Sequence, residues 1–377
     1  MNTRRQTLKH LAGAAAATLA GPALAQGGRR IVLGQSAALT GPAAQLGLQM
    51  NRGARVYFER LNAEGGVNGR TIEIQALDDG YEPDRCAANT KALIAGDVFA
   101  LFGYVGTPTG LAALPLVNAS DIPLLGMFTG AEALREPFSR NIFHVRASYY
   151  DETALIVKQL TNLGLKRIAV FRQNDSYGQA GLDGVLRALK AQNLQPTAVG
   201  LVERNTVDVA AAVKVILPTR PDAVVQISAY KSCAAFIREA RKAGYGGTFH
   251  NVSFVGTQAL ADELGKDGLG VVVSQVMPFP YTTATAIARE YLDAVKRAGG
   301  DATANYSSME GYVCAKVFAE GLRRAGANPT RESLISGLES MQRYDTGGYT
   351  VSFGPRNHRG SSFVELSMLT GDGKVRR

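Results

Sequence analysis

The sequence predicts an α/β protein of two doubly wound, Rossmann-like lobes. Short β-rich runs alternate with longer stretches of helical period, and the alternation starts afresh after Tyr149. The chain has 377 residues, and the roughly 350 left once a leader is removed exceed what one hydrophobic core commonly supports. Strands separated by helices of this length form right-handed βαβ units and parallel sheets, so two such blocks in tandem make two lobes.

The first 25 residues read as a leader. Arg4-Arg5 opens a basic segment running to His10, a run of small and apolar residues follows from Leu11 to Leu24, and Ala23-Leu24-Ala25 closes it. A charged start, an apolar middle and an A-x-A site are the parts of a secretory signal peptide. The apolar run is too short and too rich in Ala and Gly to span a bilayer. Thr3-Arg4-Arg5-Gln6-Thr7-Leu8-Lys9 resembles a twin-arginine signal with Thr7 where Phe is usual, so Sec and twin-arginine export both stay open. The mature chain is expected to begin at Gln26 with no Cys to carry a lipid anchor, and to work in the periplasm.

In the first block, Ile31-Val32-Leu33 opens a strand and a helix over 44–62 ends at Gly65-Gly66, with Val67-Asn68-Gly69 as a turn. Thr71-Ile72-Glu73-Ile74 alternates as a second strand, and a helix starts at Pro83. Residues 98–102 form a buried strand with a helix after Pro108, and Pro123-Leu124-Leu125 gives another short strand. The second block places helices at 151–163, 177–192, 208–217 and 231–243, with strands at 167–171, 197–203, 223–227, 249–255 and 271–273. Helical patterns at 284–298, 307–325 and 330–339 lead to a short β tail at 349–369.

Losing Arg4, Arg5 and Lys9 with the leader lowers the formal charge from +9 to +6. The basic residues are scattered, which reads as a solvated surface and not as a nucleic-acid stripe. No later segment approaches ~18 consecutive apolar residues, so no membrane span is expected. Cys86, Cys233 and Cys314 are far apart and the four His are isolated, so metal spacing is absent and no cofactor is expected. One disulfide or three buried thiols both fit.

Enzyme signatures are missing: there is no G-x-S-x-G elbow, H-E-x-x-H or Walker loop. Gly178, Gly181 and Gly184 lie within or beside a helix and not at a strand-to-helix turn, which argues against a dinucleotide site. Asp78-Asp79 are adjacent at a strand end and face opposite ways, so they make no acid/base dyad by themselves. What remains is a set of loops at the carboxyl ends of strands, where open α/β sheets bind ligands. They are 36–42, 103–110, 126–131, 175–178 and Ala229-Tyr230. Their glycines let backbone N–H groups approach a ligand, their Thr hydroxyls donate, and a helix N-terminus favours an anion.

In this order the loops resemble the periplasmic branched-chain amino-acid-binding proteins, the type I solute-binding proteins of ABC importers. The resemblance rests on Leu39-Thr40-Gly41-Pro42, the 62–69 segment, Asp78-Asp79, Asn174-Asp175-Ser176-Tyr177-Gly178, the 240–244 segment, Phe254-Val255-Gly256 and Glu310-Gly311-Tyr312. It covers essentially the whole mature chain. It implies two lobes joined by a three-stranded hinge, one of 29–147 plus 276–345, the other of 148–275 plus 346–377. It implies a small-molecule ligand, an ABC permease as partner, no catalysis, and a monomer or weak dimer. Carried over by position, Thr107 matches a hydroxyl that binds ligand carboxylate, Thr129 with Gly130 a second contact loop, and Tyr177 a cleft tyrosine. Leu46 stands where amino-acid binders often place an aromatic, and Tyr230 lies near another cleft aromatic. Those binders hold the ligand's ammonium with an acidic residue after the strand that here ends Phe254-Val255-Gly256. Thr257 and Gln258 follow instead, both neutral, leaving Asp79 or Glu310 to serve an α-amino group. Tyr81 and Gly106 occupy about the positions of the family's amino-terminal disulfide. The ligand expected is an amino acid or related organic acid or amide. A periplasmic sensor of the same fold is the second reading, and an α/β enzyme the third.

Overall fold

The computed structural model describes residues 30–377, so the leader lies outside it. The first sheet is built from β1 (Arg30–Ala37), β2 (Thr71–Asp78), β3 (Ala100–Phe102), β4 (Leu124–Leu125) and β5 (Ile142–Phe143). Their order is β2-β1-β3-β4-β5, all parallel. Helices α1 (Ala44–Ala63), α2 (Pro83–Ala95) and α3 (Thr107–Asn118) make the crossovers. The chain then passes into the second lobe with α4 (Tyr149–Asn162), whose first turn is fixed by a capping box between Ser148 and Asp151.

The second lobe runs β6 (Ile168–Gln173), α5 (Ser176–Lys190), β7 (Val199–Val202), α6 (Ala210–Ile216), β8 (Ala223–Ile227), α7 (Tyr230–Lys242), β9 (Thr248–Asn251), α8 (Thr257–Leu264) and β10 (Val272–Gln275). The chain returns to the first lobe with α9 (Ala286–Ala298), α10 (Tyr306–Arg324), α11 (Arg331–Glu339) and the hairpin β11 (Tyr344–Asp345) and β12 (Thr350–Val351). It finishes in the second sheet as β13 (Glu365–Leu369) and β14 (Val375–Arg376). That sheet has the order β14-β13-β10-β9-β8-β6-β7; β13 and β14 are antiparallel additions to a parallel core. All five residues of β8 are buried, as a parallel strand covered by helices on both faces requires.

The α1–α10 contact sets the back wall of the first lobe. A Cβ at Gly53 would lie 1.8 Å from the Ser308 carbonyl oxygen, and one at Gly311 would lie 2.0 Å from that of Met50. Two glycines therefore let the backbones touch, and Glu310 is placed by that contact.

The strand expected over 249–255 stops at Asn251. Ser253–Val255 is a single 3-10 turn, followed by α8, which the patterning missed. Phe254 and Val255 are apolar because they are buried at this turn, not because they continue a strand. Strands β5, β11 and β14 have two residues each, too few to show a period. Cys86, Cys233 and Cys314 are all free and buried.

Candidate functional site

The loop after β3 delivers Thr107. Gly106 adopts φ +103, and a Cβ there would lie 2.3 Å from the Tyr81 ring, so only glycine fits. Pro108 then fits the first turn of α3, where the free N–H groups point outward. Thr107 Oγ1 lies 2.7 Å from Thr129 Oγ1. Thr129 donates its one proton to Tyr149 Oη at 3.2 Å and accepts from the Ala131 N–H at 3.3 Å. Thr107 is therefore the donor of that pair. The chain of donation ends at the Tyr149 phenol, which keeps its own proton for another acceptor. Burial pushes that phenol up to about 12, so it stays a neutral donor. Gly130 allows this approach: a Cβ there would lie 2.7 Å from Tyr149 Cδ1.

Tyr177 comes from the second lobe. Asp175 caps α5 by accepting from the N–H groups of Tyr177 (2.9 Å) and Gly178 (3.2 Å). The Tyr177 ring stands 5.5 Å from Tyr149 and 4.5 Å from Phe254. Its Oη is buried without a hydrogen-bond partner among the described residues. Phe254 also meets Phe128 at 5.7 Å and Tyr81 at 5.8 Å, so one ring of the second lobe touches two of the first. Tyr81 Oη accepts from Gln173 of the second lobe at 3.3 Å. These contacts close the lobes on one another.

A charged group lies beyond the aromatic wall. The fully buried Arg146 guanidinium sits 5.0 Å over the Phe128 ring. Its Nη2 donates to Glu152 Oε1 at 3.3 Å and to Ser253 Oγ. Glu152 also accepts from the Ser253 N–H (2.7 Å), Ser253 Oγ (3.0 Å) and Ser274 Oγ (2.6 Å). Glu310 Oε1 is 3.6 Å from Arg146 Nη1, an ion pair without a hydrogen bond. Burial works against the Arg146 charge, yet Glu310 and Glu152 together hold its pKa above the ordinary value. Burial outweighs Arg146 at Glu310 and pushes that carboxyl up to about 7.

The remaining predicted positions fall elsewhere. Thr257 opens α8 and accepts from Gln275 Nε2 at 2.8 Å, while Gln275 also donates to Ser367, a network within the second lobe. Tyr230 opens α7; burial raises its pKa against a backbone hydrogen bond from Gln45 of the first lobe. Asp79 accepts from Ser36 Oγ (2.7 Å) and the Tyr81 N–H (2.8 Å), holding the turn that places Tyr81. Asp78 ties down the 39–40 backbone and Arg85. Both aspartates are committed to the loops.

A sequence profile described as periplasmic binding protein matches residues 30–374. The chain belongs to that family. It is similar to a possible leucine/isoleucine/valine-binding protein from Rhodopirellula baltica, 34% identical with a TM-score of 0.88, covering 93% of this chain and 96% of that one. A substrate-binding periplasmic protein from Ralstonia solanacearum is 33% identical with a TM-score of 0.87, covering 92% and 99%. The Leu/Ile/Val-binding protein homolog 7 of Brucella melitensis is 26% identical over 389 residues, 97% of this chain and 95% of the relative. In this periplasmic binding protein the cleft residues that sequence reasoning missed are Arg146, Glu152 and Tyr149. Only Arg146 carried a signal, as a charge in the otherwise largely apolar stretch 142–147, whereas nothing in the sequence sets Glu152 apart from the adjacent Asp151.

Proposed function

We propose that this protein is exported to the periplasm and captures a small solute bearing a carboxylate or amide. It closes its two lobes on the solute and delivers it to an ABC permease, without catalysis. The hinge is assigned to the three crossings of the chain between 29–147 plus 276–345 and 148–275 plus 346–377. One observation carries the ligand class: the buried Tyr177 phenol has no partner among the described residues and stands beside Tyr149, whose proton is left over from the Thr107–Thr129 chain. Two neutral donors of the second lobe, reached through the Thr107–Thr129 pair of the first and next to a helix N-terminus, suit one acceptor group that is anionic or strongly polar. Phe128 and Phe254 suit an apolar body. Thr107, Thr129, Gly130 and Tyr177 form this site; Tyr230 and Thr257 support the second lobe, and Glu310 lies at the far side.

Such a ligand favours closure because it touches both lobes at once. The test is a thermal-shift and calorimetry panel of amino acids, organic acids and amides on the mature protein. At least one acid or amide should bind. Tyr177→Phe and Thr107→Ala should each weaken it about tenfold, the worth of one buried hydrogen bond. Absence of any carboxylate or amide hit, or unchanged affinity in both variants, would sink this assignment.

A further inference from the structure

The Arg146–Glu310 pair is built differently from an ordinary structural ion pair. Arg146 is fully buried, and its Nε and Nη1 have no hydrogen-bond acceptor among the described residues. Glu310 Oε1, 3.6 Å from Nη1, has no donor. Glu152 shows the contrast: each of its oxygens accepts at least two hydrogen bonds. Buried polar groups in folded proteins are overwhelmingly paired, so unpaired donors facing an unpaired acceptor mark a place for a further polar group. A small cavity of about 10 Å³ borders the Glu310 side of the pair, lined by Phe128, Ser253, Met277, Tyr306 and Glu310 among others.

The contacts form a series. Tyr149 and Tyr177 form the donor end, Phe254 packs on Tyr177, Phe128 packs on Phe254, and Arg146 packs on Phe128. The donor pair and Arg146 thus stand at the two ends of this series of contacts, with Arg146 also acting electrostatically on Tyr149. We infer that Arg146 and Glu310 form a second recognition subsite, which selects solutes carrying a hydroxyl or carboxamide on the apolar body in addition to the carboxylate or amide held at Tyr149 and Tyr177. A hydroxyl or carboxamide fits because it can accept from Arg146 Nη1 and donate to Glu310 Oε1 at the same time. A bare hydrocarbon there leaves both groups unpaired, which is how hydrogen-bonding sites reject analogues lacking the group. This inference rests on the carboxylate or amide reading of the cleft.

Calorimetry on matched probes tests it: 3-phenylpropanoate against 3-(4-hydroxyphenyl)propanoate, and 4-methylpentanoate against 4-hydroxy-4-methylpentanoate and 4-carbamoylbutanoate. In the wild-type protein at least one hydroxylated or carbamoylated probe should bind about tenfold or more tighter than its bare partner. Arg146→Lys keeps a cation for Glu152 and removes the Nε and Nη1 donors. It should reduce that preference, read as the ratio of the two affinities within the variant, to about twofold or less. Glu310→Met should reduce the preference in the same direction and guards against misfolding of the arginine variant. Equal binding of bare and substituted probes, or a preference that survives both substitutions, overturns the subsite and leaves the carboxylate reading standing. Failure of every probe to bind overturns both.

Discussion

Glu152→Gln is the substitution that most directly questions the buried charge network. Arg146 has two carboxylates near it, but only Glu152 hydrogen-bonds to it. Glu310, with its carboxyl pushed up to about 7, is only partly ionised at neutral pH. Glu152 therefore shares with Glu310 the compensation of a fully buried guanidinium, and is the carboxylate that hydrogen-bonds to it. Glutamine keeps the shape and one acceptor oxygen. It also turns an amide N–H₂ toward donors that now face carboxylate oxygens: Arg146 and the Ser253 hydroxyl at Oε1, or the Ser253 N–H and the Ser274 hydroxyl at Oε2. Removing one partner of a buried ion pair costs about 3–5 kcal/mol. With one oxygen retained, we expect a loss of about 3 kcal/mol in equilibrium urea denaturation of the mature protein. Arg146→Met leaves Glu152 with its serine donors and should cost less. The double variant should be more stable than the summed single losses imply, with a coupling of about 2 kcal/mol, as expected for residues in one network. A Glu152→Gln loss below about 1 kcal/mol, or strict additivity, would refute the view that this pair is charge-compensated as the geometry indicates.

Three further outcomes are expected. Burial raises the Asp79 carboxyl from its ordinary 3.8 to about 6, so the folded protein keeps a proton that the unfolded chain releases. Its contribution is complete below pH 4 and is lost as pH rises through 6, a change of about 3 kcal/mol; Asp79→Asn should therefore gain on the wild type between pH 4 and 7, and a pH-independent difference in urea midpoints would contradict this. Gly53→Ala drives a Cβ to 1.8 Å from the Ser308 carbonyl and should destabilise by about 3 kcal/mol, whereas Gly246→Ala meets nothing within 4 Å and should be neutral or slightly stabilising by calorimetric melting. Glu82 accepts from Arg204 and Asn205 of the other lobe, each at 2.7 Å, and both ion-pair partners are partly exposed; Glu82→Gln should weaken ligand binding only a few-fold and enlarge the ligand-free radius of gyration in X-ray scattering, and no change in either would show that the rim bonds do not bias closure.

The two-lobed α/β fold was readable because its evidence is periodic. Runs such as 223–227 and the helices between them repeat often enough for a pattern to emerge. Thr107, Thr129 and Tyr177 were readable because they lie in Gly-rich turns at strand ends, and the structure brings their loops to one cleft. Thr257 serves a network within its own lobe and Tyr230 meets the Gln45 backbone of the other, a distinction that depends on side-chain direction and not on spacing. Arg146 and Glu152 escaped notice because their partnership is tertiary. Ser253 and Ser274, which satisfy Glu152, lie about a hundred residues further along the chain. A buried acid in the first turn of α4 looks, from sequence alone, like an ordinary helix-dipole carboxylate.

How Arg146 is shared between the lobes bears on how the cleft can open. The residue lies in the first crossing segment, just before α4, and its hydrogen bonds go to Glu152 and Ser253, both in the second lobe. Among the described residues its only ion-pair partner from the first lobe is Glu310, at 3.6 Å and without a hydrogen bond. Separation of the lobes can therefore leave the strong half of the network intact and break only the weak half. The rim pairs are partly exposed and contribute little by comparison. Closure without solute is then held mainly by aromatic contacts of Phe254 with Tyr81 and Phe128 and by the Gln173–Tyr81 hydrogen bond. A solute can govern such an equilibrium only through contacts it gains on closure. The buried donors left over in the closed cleft, on Tyr177 from one lobe and beside Glu310 from the other, are where those contacts are available.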